Sequence, residues 1–364
     1  MKGVIFLSDK AYKASLAVLS VFSAIVLVTG AVICIFTANS SPTNNSQQVN
    51  TSINQITELP PIVDTTEPES FDSLTGTLAR LKHRYPDLLK LYTAGYSQNG
   101  RELLMLTMGR GDKKALVVGG IHAREHITTK YLLRVIEDYC NAYQSTSGYY
   151  GNYNIYELLN QYTLYIIPCV NPDGLEIISS RQAIKPGVRV SSLSEYKSNA
   201  NGVDLNRNFP IAWESINNNV TAPADYYFKG YSSSSESETK ALIELCNSNE
   251  FAFMLSIHIK GNCIFWGDTH KTYNNSLYKA FATDVASASG LYMTEPTIRP
   301  KDYGGGFENW FRHTFDRPGV CIELSKNENK VLPCDNENYK AFDDFTNYHL
   351  SSNALAAAMS SQNQ

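Results

Sequence analysis

Ala115-Leu116-Val117-Val118-Gly119-Gly120-Ile121-His122-Ala123-Arg124-Glu125-His126 is the stretch from which the rest of the chain can be read. An apolar run of strand character stops at two glycines, and His and Glu follow three residues apart. Glycine lets the backbone turn sharply, so both side chains can be delivered just beyond the carboxyl end of a strand. Imidazole nitrogen and carboxylate oxygen are ligand types that suit zinc. From Ile127 to Tyr143 apolar residues recur at helical spacing (Tyr131, Leu132, Val135, Ile136, Tyr139), so the turn opens a helix.

Taken alone, H-x-x-E also fits a capped helix start with a solvated His. His126 extends it to H-x-x-E-H, the zinc pattern of inverzincins. That pattern needs His122 and His126 on one face of a continuous helix, and a strand with a glycine turn before it does not suit it. The decision rests on the remainder of the chain.

Apolar residues at helical spacing from Phe71 to Leu89 predict an opening helix. Leu91–Ser97 and Glu102–Gly109 read as strands joined by a turn at Asn99-Gly100. Thr163–Val170 is a nearly all-apolar strand, as at the centre of a sheet covered on both faces, and Asn171-Pro172-Asp173-Gly174 reads as a turn. Helices are predicted at Glu236–Asn249 and Leu277–Ser289, with a closing one at Tyr339–Met359. Phe251–Ile259 and Val320–Leu324 are strands. Strands alternating with helices predict an α/β domain with a largely parallel sheet and helices on both faces. Functional groups should then collect at the carboxyl ends of strands. Three such ends carry candidates: His122 with Glu125, then His258, then Glu323. A charge in a short apolar strand is costly unless paired or functional, and a buried ion pair is the other reading of Glu323. A hydrogen-bonded core histidine is that of His258. In Asp204-Leu205-Asn206-Arg207-Asn208, Arg and Asn together can hold a carboxylate. A self-bonded turn through Asp204 and Asn208 is the plainer alternative. Gly304-Gly305-Gly306 reads as a flexible loop entering a helix.

Working outward, Ala14–Ala38 contains no charged residue. It exceeds the ~20 apolar residues that a spanning helix needs, whereas a secretory core is about 7–15. Lys2, Lys10 and Lys13 precede it, which orients the first 13 residues to the cytoplasm and the remainder outside. A transmembrane signal anchor over 14–38 is expected, with a long cleaved signal, and hence secretion, as the alternative. Residues 39–67 are polar and aperiodic and read as a disordered linker, leaving 68–364 as the folded domain. The formal charge of −4 and the lack of a basic patch give no reason to expect a nucleic-acid partner. Cys140, Cys169, Cys246, Cys263, Cys321 and Cys334 are even in number and permit disulfides, but most sit in apolar runs where buried free thiols serve as well. Without a C-x-x-C pair, a cysteine-bound metal is not expected.

The ordered set His122-Ala123-Arg124-Glu125, Asn171-Pro172-Asp173-Gly174, Asp204-Leu205-Asn206-Arg207-Asn208, Ser256-Ile257-His258 and Ile322-Glu323-Leu324 resembles the zinc carboxypeptidase family of metallopeptidases, from about Phe71 to the C-terminus. The resemblance implies a mixed, mainly parallel sheet of about eight strands with helices on both faces. It implies one zinc held by His122, Glu125 and His258, with Glu323 as general base and acid. Arg124 would help polarise the scissile carbonyl, while Asn206 and Arg207 anchor a substrate carboxylate. Two positions depart from the family. The oxyanion-stabilising arginine is matched by Lys197 after Tyr196. The position of the mobile tyrosine holds Lys301, with Tyr303 two residues off as the substrate-binding candidate. Glu308 falls where the family's specificity pocket is read, and an acidic group there would favour a cationic side chain. The alternative is that Glu308 caps a helix starting near Trp310 and faces solvent.

The wording around Asn199–Pro210 and Gly304–Phe311 is most like a bacterial subgroup that includes γ-D-glutamyl–diaminopimelate peptidases. The expectation is therefore a monomeric, membrane-anchored zinc peptidase with its domain outside the cell, cutting wall (peptidoglycan) peptides near a free carboxylate. A carboxypeptidase removing C-terminal basic residues from ordinary peptides is the second reading, and an inactive wall-peptide-binding module the third.

Overall fold

A computed structural model describes residues 60–362, apart from 181, 269–274, 298 and 327–341. The expected anchor at 14–38, the linker as far as residue 59, and Cys334 lie outside the described residues. No helix of the described residues is long and apolar enough to cross a membrane.

The Ala115–Val118 run is apolar throughout because both of its faces are buried. Ala115 and Val117 join one core cluster, and Leu116 and Val118 join the other, the period-two alternation of a strand between two layers. The strands are β1 (Leu89–Tyr96), β2 (Glu102–Gly109), β3 (Lys113–Val118), a separate hairpin of β4 (Tyr149–Tyr150) and β5 (Tyr153–Asn154), β6 (Tyr162–Ile167), β7 (Phe251–His258), β8 (Cys263–Phe265), β9 (Tyr292–Met293) and β10 (Gly319–Glu323). The main sheet has eight strands in the order β1-β2-β6-β3-β7-β10-β8-β9. Its centre, β6-β3-β7-β10, is parallel, while β1/β2, β2/β6 and β10/β8 are antiparallel. This is the mixed, mainly parallel sheet that the resemblance implies.

Helices cover both faces. Phe71–Arg84, Ile127–Gln144, Asn275–Ser289 and Ala354–Ser361 pack through the larger cluster, and Ser237–Asn247 and Phe307–Phe315 through the smaller. The first helix starts at a Ser70–Ser73 capping box, which satisfies two amide donors that a helix start leaves open.

Two expectations are corrected. Asn171-Pro172-Asp173-Gly174 is a helix start, not a free turn. Pro172 begins the Pro172–Ser180 helix and the Asn171 side chain accepts the Gly174 amide at 2.8 Å, since proline suits a first helical position and asparagine a cap. The closing helix is broken among its described residues into Phe342–Thr346, Tyr348–Ser351 and Ala354–Ser361, with Asn347 left-handed at φ 50°. Contacts group the chain from Ile62 onward into one compact unit. There the amides of Ile62 and Val63 donate to the buried Glu137 carboxylate at 2.6 and 2.9 Å. Cys140, Cys169, Cys246, Cys263 and Cys321 are buried free thiols, so the disulfide option does not apply to them.

Candidate metal centre

Gly120 turns the chain after β3 with φ +59°, and a Cβ there would lie 3.0 Å from the Cys169 Cα. The turn leaves His122 extended and winds Ala123–Glu125 into a single 3-10 turn. His122 and Glu125 therefore sit beyond a strand end and share no helix face with His126, which caps the Ile127–Gln144 helix. This removes the inverzincin reading.

His122, Glu125 and His258 converge, all buried, with their ligand atoms within 4.8 Å of one another. Glu125 bridges the two rings: Oε1 lies 2.8 Å from His122 Nδ1 and Oε2 lies 2.9 Å from His258 Nδ1. The outer nitrogens have their own partners. His122 Nε2 faces Asp204 Oδ1 at 3.2 Å, and His258 Nε2 faces Ser256 Oγ at 2.9 Å. Fixed outer nitrogens aim both Nδ1 atoms at one place, the arrangement expected of metal-binding histidines. Two imidazoles and a carboxylate, buried together, fit zinc with room for a further ligand.

The electrostatics agree. Burial pushes the Glu125 carboxyl up, but His122, Lys197 and two histidine hydrogen bonds outweigh it and hold it well below the usual carboxylate range. For His258 burial favours the neutral ring, yet the Glu125 hydrogen bond and charge raise it to about 9. Burial likewise opposes ionisation of Asp204, and His122 overcomes it, lowering that carboxyl. Lowered carboxyls beside a raised imidazole are the pattern of buried groups that stabilise one another's charge.

Glu323 ends β10 directly opposite His258 of β7 in the parallel ladder. Burial, then the Glu125 charge, raise its carboxyl to about 7 against the pull of His258 and Lys197. Oε2 is buried without a hydrogen-bond partner among the described residues. A carboxyl poised near neutrality beside the ligands is suited to pass a proton. Lys197 Nζ lies 3.2 Å from Glu125 Oε1, and Arg124 is paired with Glu195. The backbone brings both in: the Ala123 and Arg124 amides donate to the carbonyls of Lys197 and Tyr196.

Asn206 and Arg207 lie in the Leu205–Arg207 turn that Asp204 caps. The Asn206 Oδ1 accepts the Phe307 amide at 2.8 Å and Nδ2 reaches Glu308 Oε1 at 3.4 Å. Arg207 donates to the Asn206 carbonyl at 2.7 Å. Gly305, at φ +70°, packs so closely that a Cβ would lie 2.2 Å from the Arg207 carbonyl oxygen. Glu308 is 4 % exposed and its Oε1 is 4.0 Å from His258 Nε2. The solvent-facing alternative for it is overturned, because the helix starts at Phe307, a turn earlier than expected, and turns Glu308 inward. Tyr303 is set by other contacts: its ring stacks on His313 and its carbonyl accepts from Asn309.

Sequence reasoning missed Asp204 as the partner of His122, along with Ser256, Glu195 and Cys321. Two of these carried a readable signal. Ser256 precedes His258 by two on β7, and Cys321 precedes Glu323 by two on β10, so each shares its neighbour's face.

The zinc carboxypeptidase family model matches residues 74–344. Among curated relatives, the uncharacterized protein YqgT of Bacillus subtilis is 32% identical over 251 residues, covering 65% of this chain and 65% of that one. The γ-D-glutamyl-L-diamino acid endopeptidase 1 of Lysinibacillus sphaericus is 28% identical over 271 residues, covering 72% and 66%. The chain thus spans about two thirds of the length of these relatives. Bovine thrombin-activatable fibrinolysis inhibitor has a similar fold, with a TM-score of 0.61 at 20% identity over 82% of this chain and 98% of that one.

Proposed function

The chain belongs to the zinc carboxypeptidase family, and we propose on that footing that it is a zinc peptidase cutting a peptide bond near a free carboxylate. One observation carries this: His122, Glu125 and His258 meet at one point with Glu323 level with His258 across the strand pair. His122, Glu125 and His258 would hold a zinc ion, which would supply Lewis-acid polarisation and ease deprotonation of the attacking water. Glu323 takes that proton and hands it to the leaving amine. Lys197 and Arg124 are the cations that can turn toward the charge developing on the carbonyl oxygen. Arg207 and Asn206 would bind the substrate carboxylate, and Glu308, buried beside them, receives a cationic side chain.

A wall peptide ending in a diamino acid offers both that carboxylate and that cation. The relative named as a γ-D-glutamyl-L-diamino acid endopeptidase supports this substrate class. A C-terminal lysine presents the same two groups, which keeps a carboxypeptidase acting on ordinary peptides as the second reading. The apolar segment at 14–38 would anchor the domain outside the membrane.

The direct test is Glu323→Gln. It should retain one zinc per chain by metal analysis while turnover falls about 10²–10⁴-fold. Near-wild-type turnover would remove Glu323 as the base. A muropeptide and a linear peptide ending in Lys, assayed side by side, separate the two substrate readings.

A further inference from the structure

The pocket wall next to the His122, Glu125 and His258 cluster holds a second set of ligand types. His258, Glu308 and Cys321 are all buried, and their ligand atoms lie within 4.8 Å of one another. His258 belongs to both sets through different atoms: Nδ1 faces Glu125 at 2.9 Å, while Nε2 is 4.0 Å from Glu308 Oε1. Glu308 Oε2 is buried with no hydrogen-bond partner among the described residues. A buried carboxylate oxygen left so is costly unless something cationic visits it. Cys321 shares the pocket face of β10 with Glu323, its Sγ 3.8 Å from Glu323 Oε1.

From this geometry we propose a second, weaker divalent-cation site built from Glu308, Cys321 and His258 Nε2, favouring zinc or cadmium, whose occupation closes the pocket to cationic side chains. The thiolate sets the preference, since sulfur and imidazole select zinc and softer ions over magnesium or calcium. The site is weaker for two reasons. A tetrahedral ion with bonds of about 2.0–2.3 Å holds its ligands about 3.3–3.7 Å apart, so the side chains must close by up to an ångström or so. Binding also displaces two protons to solvent, one from the Cys321 thiol and one from His258 Nε2, with the uncharged Ser256 hydroxyl turning away.

The closing of the pocket rests on the proposed substrate reading; the cation site does not. The experiment is a cadmium titration of the zinc-loaded full chain, read by the sulfur-to-cadmium charge-transfer absorption. The band should grow to one further equivalent, be absent in Cys321→Ser and Cys321→Ala, and need about tenfold more cadmium in Glu308→Gln. No band, or one unchanged in both Cys321 variants, overturns the site. In parallel, zinc beyond one equivalent should inhibit cleavage of a cationic-side-chain peptide competitively, and about tenfold less potently in Cys321→Ser. A band in a protein showing no preference for cationic substrates would sink the substrate reading and leave the cation site standing. A cationic preference that Glu308→Gln abolishes, without any band, would do the reverse.

Discussion

At the scale of residues, Asp204 shows what a linear reading can and cannot reach. Its Oδ1 accepts the Asn206 amide at 3.1 Å and lies 3.2 Å from His122 Nε2. The first contact is a two-residue turn and was legible; the second spans 82 positions and was not. Asp204→Asn keeps the shape but gives up the charge that orients the imidazole. Zinc affinity, measured by competition with a chelator, should fall about 10–100-fold with the fold intact by circular dichroism. An unchanged affinity would reduce Asp204 to a turn residue. Glu308 poses the complementary question of specificity. Glu308→Gln should cut turnover of peptides with cationic side chains far more than of apolar ones. Equal loss on both would remove it from the specificity pocket. His122, Glu125, His258 and Glu323 were legible because each stands at the end of an apolar run, where a charged or titratable group is conspicuous.

Among the elements, the central strands were the most legible, since period-two burial on both faces leaves few other readings of β3, β6 and β7. Asn171-Pro172 was read as punctuation because the same residues that stop a strand also cap a helix. The Ser237–Asn247 helix has an acidic entrance that yields a prediction. Glu238, in its first turn, is fully buried and accepts from Gln98 and Asn199. Burial, opposed by a backbone hydrogen bond and reinforced by Glu236 and Asp173, pushes its carboxyl from 4.5 up to about 7. The folded state therefore holds a proton that the unfolded chain has released between those values. Its stabilising effect is complete below about 4.5 and is lost as pH rises toward about 7. At about 1.4 kcal/mol per unit, the difference approaches about 3 kcal/mol. The melting temperature should thus fall across that window more steeply in the wild type than in Glu238→Gln. Parallel profiles would mean that Glu238 titrates normally.

For the whole molecule, the eight-stranded order could not be read from the chain, because neighbours such as β6 and β3 or β10 and β7 are far apart in sequence. What the sequence carried was the layer pattern; the resemblance added a mixed, mainly parallel sheet of about eight strands, and the order came from the structure alone. Topology relative to the cell is a separate matter, resting on the charge-free segment and the lysines before it. Protease treatment of intact cells or wall-stripped protoplasts should release a fragment starting between residue 39 and Ile62, where the packed unit begins. Recovery of only the intact protein would overturn the outward orientation.

The two amides that Glu137 gathers at Ile62 and Val63 also decide how a pull on the chain would be felt. Tension arriving from the N-terminal side meets the domain at that carboxylate, which sits on the Ile127–Gln144 helix. The same helix is continuous through His126 with the turn that carries Glu125. A second grip runs from Lys130 on that helix to the Asp64 carbonyl at 2.7 Å. The load path of a tethered molecule would therefore enter that helix about three turns from Glu125 at Glu137 and about one and a half turns from it at Lys130, so that a pull on the chain bears on the element that carries the ligand turn.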